Sequence, residues 1–114
     1  MRNLFITILI FLLCNSSDAA RRVLLGGWTK IPNVTDPTVV EIGKFAIDQH
    51  NKEEKSSLKF SKVVTGEIQL VAGLNYNLTV AAANGSVENN YVAIVWDKPW
   101  MKNFRRLTSF RGPV

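Results

Sequence analysis

Residues 58–80 read LKFSKVVTGEIQLVAGLNYNLTV. Two alternations of period two meet in this stretch. Leu58, Phe60, Lys62, Val64, Gly66, Ile68 and Leu70 share one parity against Lys59, Ser61, Val63, Thr65, Glu67 and Gln69. After a short interruption, Leu74, Tyr76, Leu78 and Val80 alternate with Asn75, Asn77 and Thr79. Successive strand side chains point to opposite faces, so each alternation predicts a strand with one face on a core. The interruption is then a hairpin tip, and Gly66 marks a place where the long first strand twists.

Upstream the period changes. Asp36 is a good N-cap and Pro37 suits the first helical position, where its missing N–H has no partner to lose. Val39, Ile42, Phe45, Ala46 and the neutral Gln49 recur at spacings of three and four. This predicts a helix from Pro37 to Asn51, with Glu41, Lys44, Asp48 and Asn51 facing outward. Gly43 inside it costs roughly 1 kcal/mol relative to alanine, which a close approach of helix to sheet explains. Trp28 to Ile31 is a short first strand, and the polar run from Asn51 to Ser57 is a solvated connection.

Downstream, Asn84-Gly85 predicts a tight hairpin with positive φ at both central residues. Tyr91 to Trp96 and Phe104 to Phe110 are the last two strands, with Asp97 to Met101 turning between them. The order is strand, helix, then four strands joined by hairpins. It predicts an α+β fold, an antiparallel sheet with a single helix across one face.

The chain has 114 residues, enough for one domain, and 46% of them are hydrophobic, so a core is within reach. Arg2-Asn3, the apolar run Leu4 to Leu13 and the small residues ending in Ala19-Ala20 have the layout of a secretory signal peptide. The run is about half of the roughly 20 residues a membrane span needs. Residues 1–19 are therefore expected to be removed, with cleavage after Ala19 or Ala20, leaving a single domain over 20–114 that is secreted. Arg2 and Asp18 leave together, so the net charge stays +5. Cys14 is the only cysteine and leaves too, which excludes disulfide scaffolds, thiol redox enzymes and cysteine zinc sites from the mature product. Asn33-Val-Thr35, Asn77-Leu-Thr79 and Asn84-Gly-Ser86 match the N-glycosylation acceptor.

The inventory of reactive groups is thin. His50 is the only histidine, placed beside Gln49 and Asn51 at the helix end, where it reads as a surface residue. The carboxylates are scattered among lysines, and there is no phosphate loop and no metal-ligand spacing. No catalytic residue, metal or cofactor is expected. Lys102, Arg105, Arg106 and Arg111 are interleaved with Trp100, Phe104 and Phe110, which in a strand is a solvated face backed by a core face rather than a nucleic-acid platform. Neither a nucleic-acid partner nor, once the leader is removed, a membrane partner is expected.

What this leaves unexplained is apolar residues in turns. Leu70-Val71-Ala72 sits at one hairpin tip and Pro99-Trp100 at another, where solubility favours Asn, Asp or Ser. Strand parity places both tips on one edge of the sheet, and the mobile joint Gly26-Gly27 lets the segment before it reach the same edge.

In these residues the chain resembles the cystatins, and in particular the plant members, the phytocystatins. Gln69-Leu70-Val71-Ala72-Gly73 fits the family's Gln-x-Val-x-Gly signature. The run from Val40 to Asn51 is similar to the phytocystatin helix motif, with Gly43-Lys44 where Ala-Arg is usual. Pro99-Trp100 matches the second hairpin, and Gly26-Gly27 stands at the N-terminal glycine. The resemblance implies a cystatin-like five-stranded antiparallel sheet wrapped around a single helix. It implies a secreted, reversible, tight-binding inhibitor of papain-like cysteine proteases with a part in plant defence. The N-terminal segment and the two hairpins form a wedge that fills the active-site cleft without offering a scissile bond. Within it Leu70, Val71 and Trp100 are buried in the complex, Gln69 supports its loop, and Gly73 holds a backbone conformation that a side chain would obstruct. A monomer is expected, with domain swapping through the first hairpin as the hazard of the fold, and no legumain inhibition, for want of a C-terminal extension. The other reading is a secreted cationic binding protein of this fold that inhibits no protease.

Overall fold

A computed structural model describes residues 27–114, over which the elements follow as β1 Trp28–Lys30, α1 Pro37–Glu54, β2 Lys59–Leu70, β3 Leu74–Asn84, β4 Val87–Asp97 and β5 Arg105–Arg111. The expected leader over 1–19 and Gly26 lie outside the described residues. The five strands form one sheet in chain order, every neighbouring pair antiparallel. This is the α+β arrangement expected, with α1 crossing one face.

The helix begins as its sequence requires. The Asp36 side chain accepts a 2.8 Å hydrogen bond from Thr38 N, and Pro37 follows directly. Val39, Ile42, Ala46 and Ile47 face the sheet and join Leu78, Val80, Ala93 and Val95 in the core. Full burial of a side chain such as Ile42 contributes roughly 1.5–3 kcal/mol. Gly43 lies at the closest approach: a Cβ there would meet Val63 Cγ2 at 2.9 Å and a Phe60 ring carbon at 3.1 Å. The missing methyl group lets helix and sheet pack.

The helix runs one turn further than its periodicity predicts, to Glu54, and Lys55 closes it at φ 53°. Asn51, expected to face outward, instead organises the connection. Its side chain donates to Leu58 O at 2.9 Å and accepts from Ser56 Oγ at 2.7 Å and Leu58 N at 3.1 Å. These bonds satisfy the backbone N–H and C=O of Leu58, just ahead of β2. His50 is not a bare surface group either, since its ring stacks on Phe110 at 3.8 Å between centroids.

Strand β2 departs from simple alternation. Register shifts between Phe60 and Lys62 and between Val63 and Thr65 each change which face the next residue meets. As a result Val63 is buried and Val64 is 42% exposed, the reverse of strict alternation from Leu58. The twist lies just ahead of Gly66, where a Cβ would strike Leu78 Cδ2 at 2.6 Å. The Asn84-Gly85 hairpin also differs in detail. Asn84 pairs with Val87, so the two loop residues are Gly85 and Ser86, and of these only Gly85 has positive φ, 66°. Glycine at the first loop position is the II′ pattern, which matches strand twist as well as the expected turn does.

Candidate functional site

The register of the sheet determines which residues meet at its end. Trp28 pairs with Gln69, Leu70 with Leu74, Leu74 with Asp97, and Asp97 with Arg105. The start of β1, the β2–β3 hairpin and the β4–β5 hairpin therefore converge on one end of the sheet. Gln69, Leu70, Val71, Ala72, Gly73, Pro99 and Trp100 all lie there, with Gly27 leading into β1. Gly26 lies outside the described residues.

The first tip is short. Val71, Ala72 and Gly73 link Leu70 to Leu74, and Val71 N donates to Gly73 O at 3.1 Å. Ala72 at φ 45° and Gly73 at φ 127° make the reversal. A Cβ on Gly73 would sit 2.7 Å from Asp97 O and 3.1 Å from Trp96 Nε1. Both its conformation and its neighbours demand glycine. Gln69 accepts a 3.2 Å bond from Asn75 Nδ2 across the base of the hairpin.

The second tip is built from two successive turns. Met101 N donates to Lys98 O at 2.9 Å and Phe104 N to Met101 O at 3.3 Å, with Asn103 at φ 61°. Lys98 N donates to Phe104 O at 3.2 Å and closes the loop. Trp100 projects from it 66% exposed, with Met101 also exposed and Leu70 exposed on the first tip. Large apolar side chains in such places mark a contact surface.

The two tips are joined by a residue the motifs do not flag. Trp96 Nε1 donates to Val71 O at 3.3 Å, and its ring meets Phe104 edge-on at 5.3 Å. Lys98 Nζ lies 4.7 Å from the Trp96 ring and 4.6 Å from the Phe104 ring. The legible signal was parity: Trp96 is on the face of β4 opposite Val95, where a tryptophan has no helix to pack against.

On the helix side, Asp97 is 5% exposed and accepts from Arg105 Nε at 2.9 Å, while Arg105 Nη1 reaches Glu41 Oε2 at 2.9 Å. Burial opposes the Arg105 charge, but the hydrogen bonds to Asp97 and Glu41 outweigh it and raise its pKa. This chain anchors the second hairpin to α1. Glu41 lies 64 residues from Arg105, so nothing local in the sequence announces the pairing. Tyr76, behind the first hairpin, has its pKa raised by burial and then by the Asp97 charge.

The three glycosylation triplets occupy different settings. Asn33 Oδ1 accepts from Thr35 N at 3.0 Å and Thr35 Oγ1 at 2.6 Å in the exposed β1–α1 connection. Asn77 is half-buried in mid-β3, and Asn84 is exposed at the hairpin opposite the converging tips. Among the described residues no group of three or more His, Cys, Asp or Glu side chains could hold a metal ion. No described helix is long and apolar enough to cross a membrane. Among the described residues this end of the sheet offers exposed apolar side chains at Trp28, Leu70, Trp100 and Met101.

The profile of a family described as "Aspartic acid proteinase inhibitor" matches residues 31–112. The chain is similar to "Cysteine proteinase inhibitor 5" of Arabidopsis thaliana, 57% identical over 108 residues that cover 94% of this chain and 86% of that one. It is 50% identical over 91 residues to "Cysteine proteinase inhibitor 1" of Actinidia chinensis var. chinensis, covering 80% of this chain and 78% of that one. In structure it is similar to a salivary cystatin from the soft tick Ornithodoros moubata, with TM-score 0.63, 26% identity, and coverage of 75% of this chain and 94% of that one.

Proposed function

The chain belongs to the cystatin family, among its plant members, which are protease inhibitors and not enzymes, and on that premise we propose that it blocks papain-like cysteine proteases reversibly, as a secreted protein. One observation carries the reading. The pairs Trp28 to Gln69 and Leu74 to both Leu70 and Asp97 hold three separate parts of the chain at one end, where Leu70 and Trp100 are exposed.

The physical logic is that of a preformed plug. Binding loses free energy wherever side chains and loops must be ordered. Here Gly73 is wedged against Asp97, Trp96 bonds to Val71, and Arg105 ties the second hairpin to α1, so the tips meet the cleft already shaped. Burying Trp100 and Leu70 then supplies affinity. The resemblance assigns the segment ending at Gly26-Gly27 to the substrate side of the cleft, with Val23 to Leu25, which lie outside the described residues, as contacts there. None of the three elements lays a peptide bond across the catalytic cysteine, so the inhibitor is not consumed. Residues 1–19 direct secretion and are removed.

Titration of papain with residues 20–114 tests this, with pepsin in parallel because the matching profile carries the name of aspartic proteinase inhibitors. Papain is expected to lose activity near stoichiometric addition, recoverable on dilution, while pepsin retains its activity. No inhibition of papain at micromolar concentration would leave the chain as a cationic binding protein of this fold.

A further inference from the structure

Resting on the reading of this end as the protease-binding surface, we propose that the second hairpin carries a cationic collar that selects proteases with carboxylates beside the cleft. From Lys98 to Val114 the sequence has five cationic side chains, Lys98, Lys102, Arg105, Arg106 and Arg111, and no Asp or Glu. The structure separates their roles. Arg105 is neutralised by Asp97 and Glu41. Arg111 sits at the far end of β5, opposite Val92.

Lys98, Lys102 and Arg106 remain around Trp100, and no carboxylate bridges any of them among the described residues. Two of the three are held in place. Lys98 Nζ lies over the Trp96 and Phe104 rings, and the Arg106 guanidinium lies 5.0 Å from the centroid of Phe104. The rings take no charge from them. A cation over an aromatic face keeps its full field toward solvent while losing side-chain freedom. Lys102 stands exposed one residue past Met101. The hairpin that carries the exposed Trp100 thus presents three positive charges, two of them held against aromatic rings. A solvated face would need neither the fixed placement nor the single sign.

Such an arrangement fits a partner whose matching rim is negative. Charges at the rim of an interface act mainly on the association rate, and they act over a Debye length of about 8 Å at physiological salt. The collar therefore sets which proteases are captured fast, while Trp100 and the first hairpin set how long they stay.

The test uses two papain-like proteases, one acidic and one basic on the surface beside the cleft, and the double variant Lys102→Glu, Arg106→Glu. Association and dissociation rates are measured from 20 to 500 mM salt. The wild type is expected to associate at least tenfold faster with the acidic protease at low salt, with the advantage fading as salt rises. The double variant is expected to lose or reverse that preference, with dissociation changed less than threefold and a melting temperature lowered only slightly, by loss of the Arg106–Phe104 contact. Equal rates for both proteases, or a preference that survives the charge reversal, would overturn the collar even though inhibition itself stands. Salt-dependent sedimentation with phosphatidylserine vesicles that the variant loses, without a change in its protease rates, would assign the charges to a membrane and overturn the proposal as well. Failure of the wild type to inhibit either protease would remove the underlying reading and the collar with it.

Discussion

Trp96 Nε1 donates a 3.3 Å hydrogen bond to the carbonyl oxygen of Val71, and so one side chain of β4 holds the tip of the β2–β3 hairpin. The two hairpins are thereby tied to each other. Trp96→Phe keeps a ring against Phe104 and removes the bond, a loss of about 1 kcal/mol, or roughly fivefold in affinity. The change is expected mostly in the dissociation rate from papain. A double-mutant cycle between Val71→Ala and Trp100→Ala should show coupling in the wild type and strict additivity in the Trp96→Phe background.

Gly73 is constrained twice, by φ 127° and by the Asp97 carbonyl 2.7 Å from where a Cβ would stand. Gly73→Ala is expected to cost about 1–3 kcal/mol of stability from backbone strain, and to weaken inhibition by separating the tips. Gly85, with φ 66° but nothing within 4 Å, is the control: alanine there should lower the melting temperature without changing the inhibition constant.

Asp97 is the buried anchor of the second hairpin. Asp97→Ala leaves the Arg105 guanidinium, itself a quarter exposed, with Glu41 alone. Because hydrogen bonds to charged groups contribute about 1.5–3 kcal/mol and water reaches Arg105, the expected loss is about 2 kcal/mol in a chemical-denaturation experiment. A fluorescence anisotropy measurement on Trp100, with the other tryptophans replaced, should report a looser hairpin.

Tyr76 makes a prediction for alkaline pH. Its folded pKa lies above the unfolded value of 10.0, because burial and Asp97 disfavour the phenolate. Unfolding is then coupled to ionisation: the stabilisation is complete below about pH 10 and is lost as pH rises through the folded pKa. Tyr76→Phe is expected to flatten the fall in melting temperature between pH 9.5 and 11, and an unchanged slope would remove Tyr76 as its cause.

Much of this fold can be read from single residues. Asp36-Pro37 announces the helix start because capping is local chemistry, and the alternation from Leu74 to Val80 is clean because β3 is a central strand with one face on the core. The apolar tips at Leu70 to Ala72 and Pro99-Trp100 are legible for the opposite reason, since they violate what a turn prefers. β2 is misread by simple alternation because its two register shifts leave no mark in composition: Val63 and Val64 are the same residue type, and only pairing with β3 decides which is buried. Asn51 is misread because its two partners, Ser56 and Leu58, come from beyond the helix. Parity puts Trp96 on the face away from the helix, but its bond to Val71 exists only once the two hairpins meet, and the Asp97, Arg105 and Glu41 chain only once α1 packs beside the second hairpin.

The central claim is that the exposed end of the sheet is a preformed plug for a protease cleft, and the inhibition constant of residues 20–114 for papain tests it most directly when measured beside Trp100→Ala. Truncating a buried aromatic anchor costs about 2 kcal/mol or more, roughly 30-fold in affinity. The wild type is expected to inhibit tightly and the variant to lose at least that much, with the same melting temperature for both. Equal inhibition constants for the two proteins would contradict it.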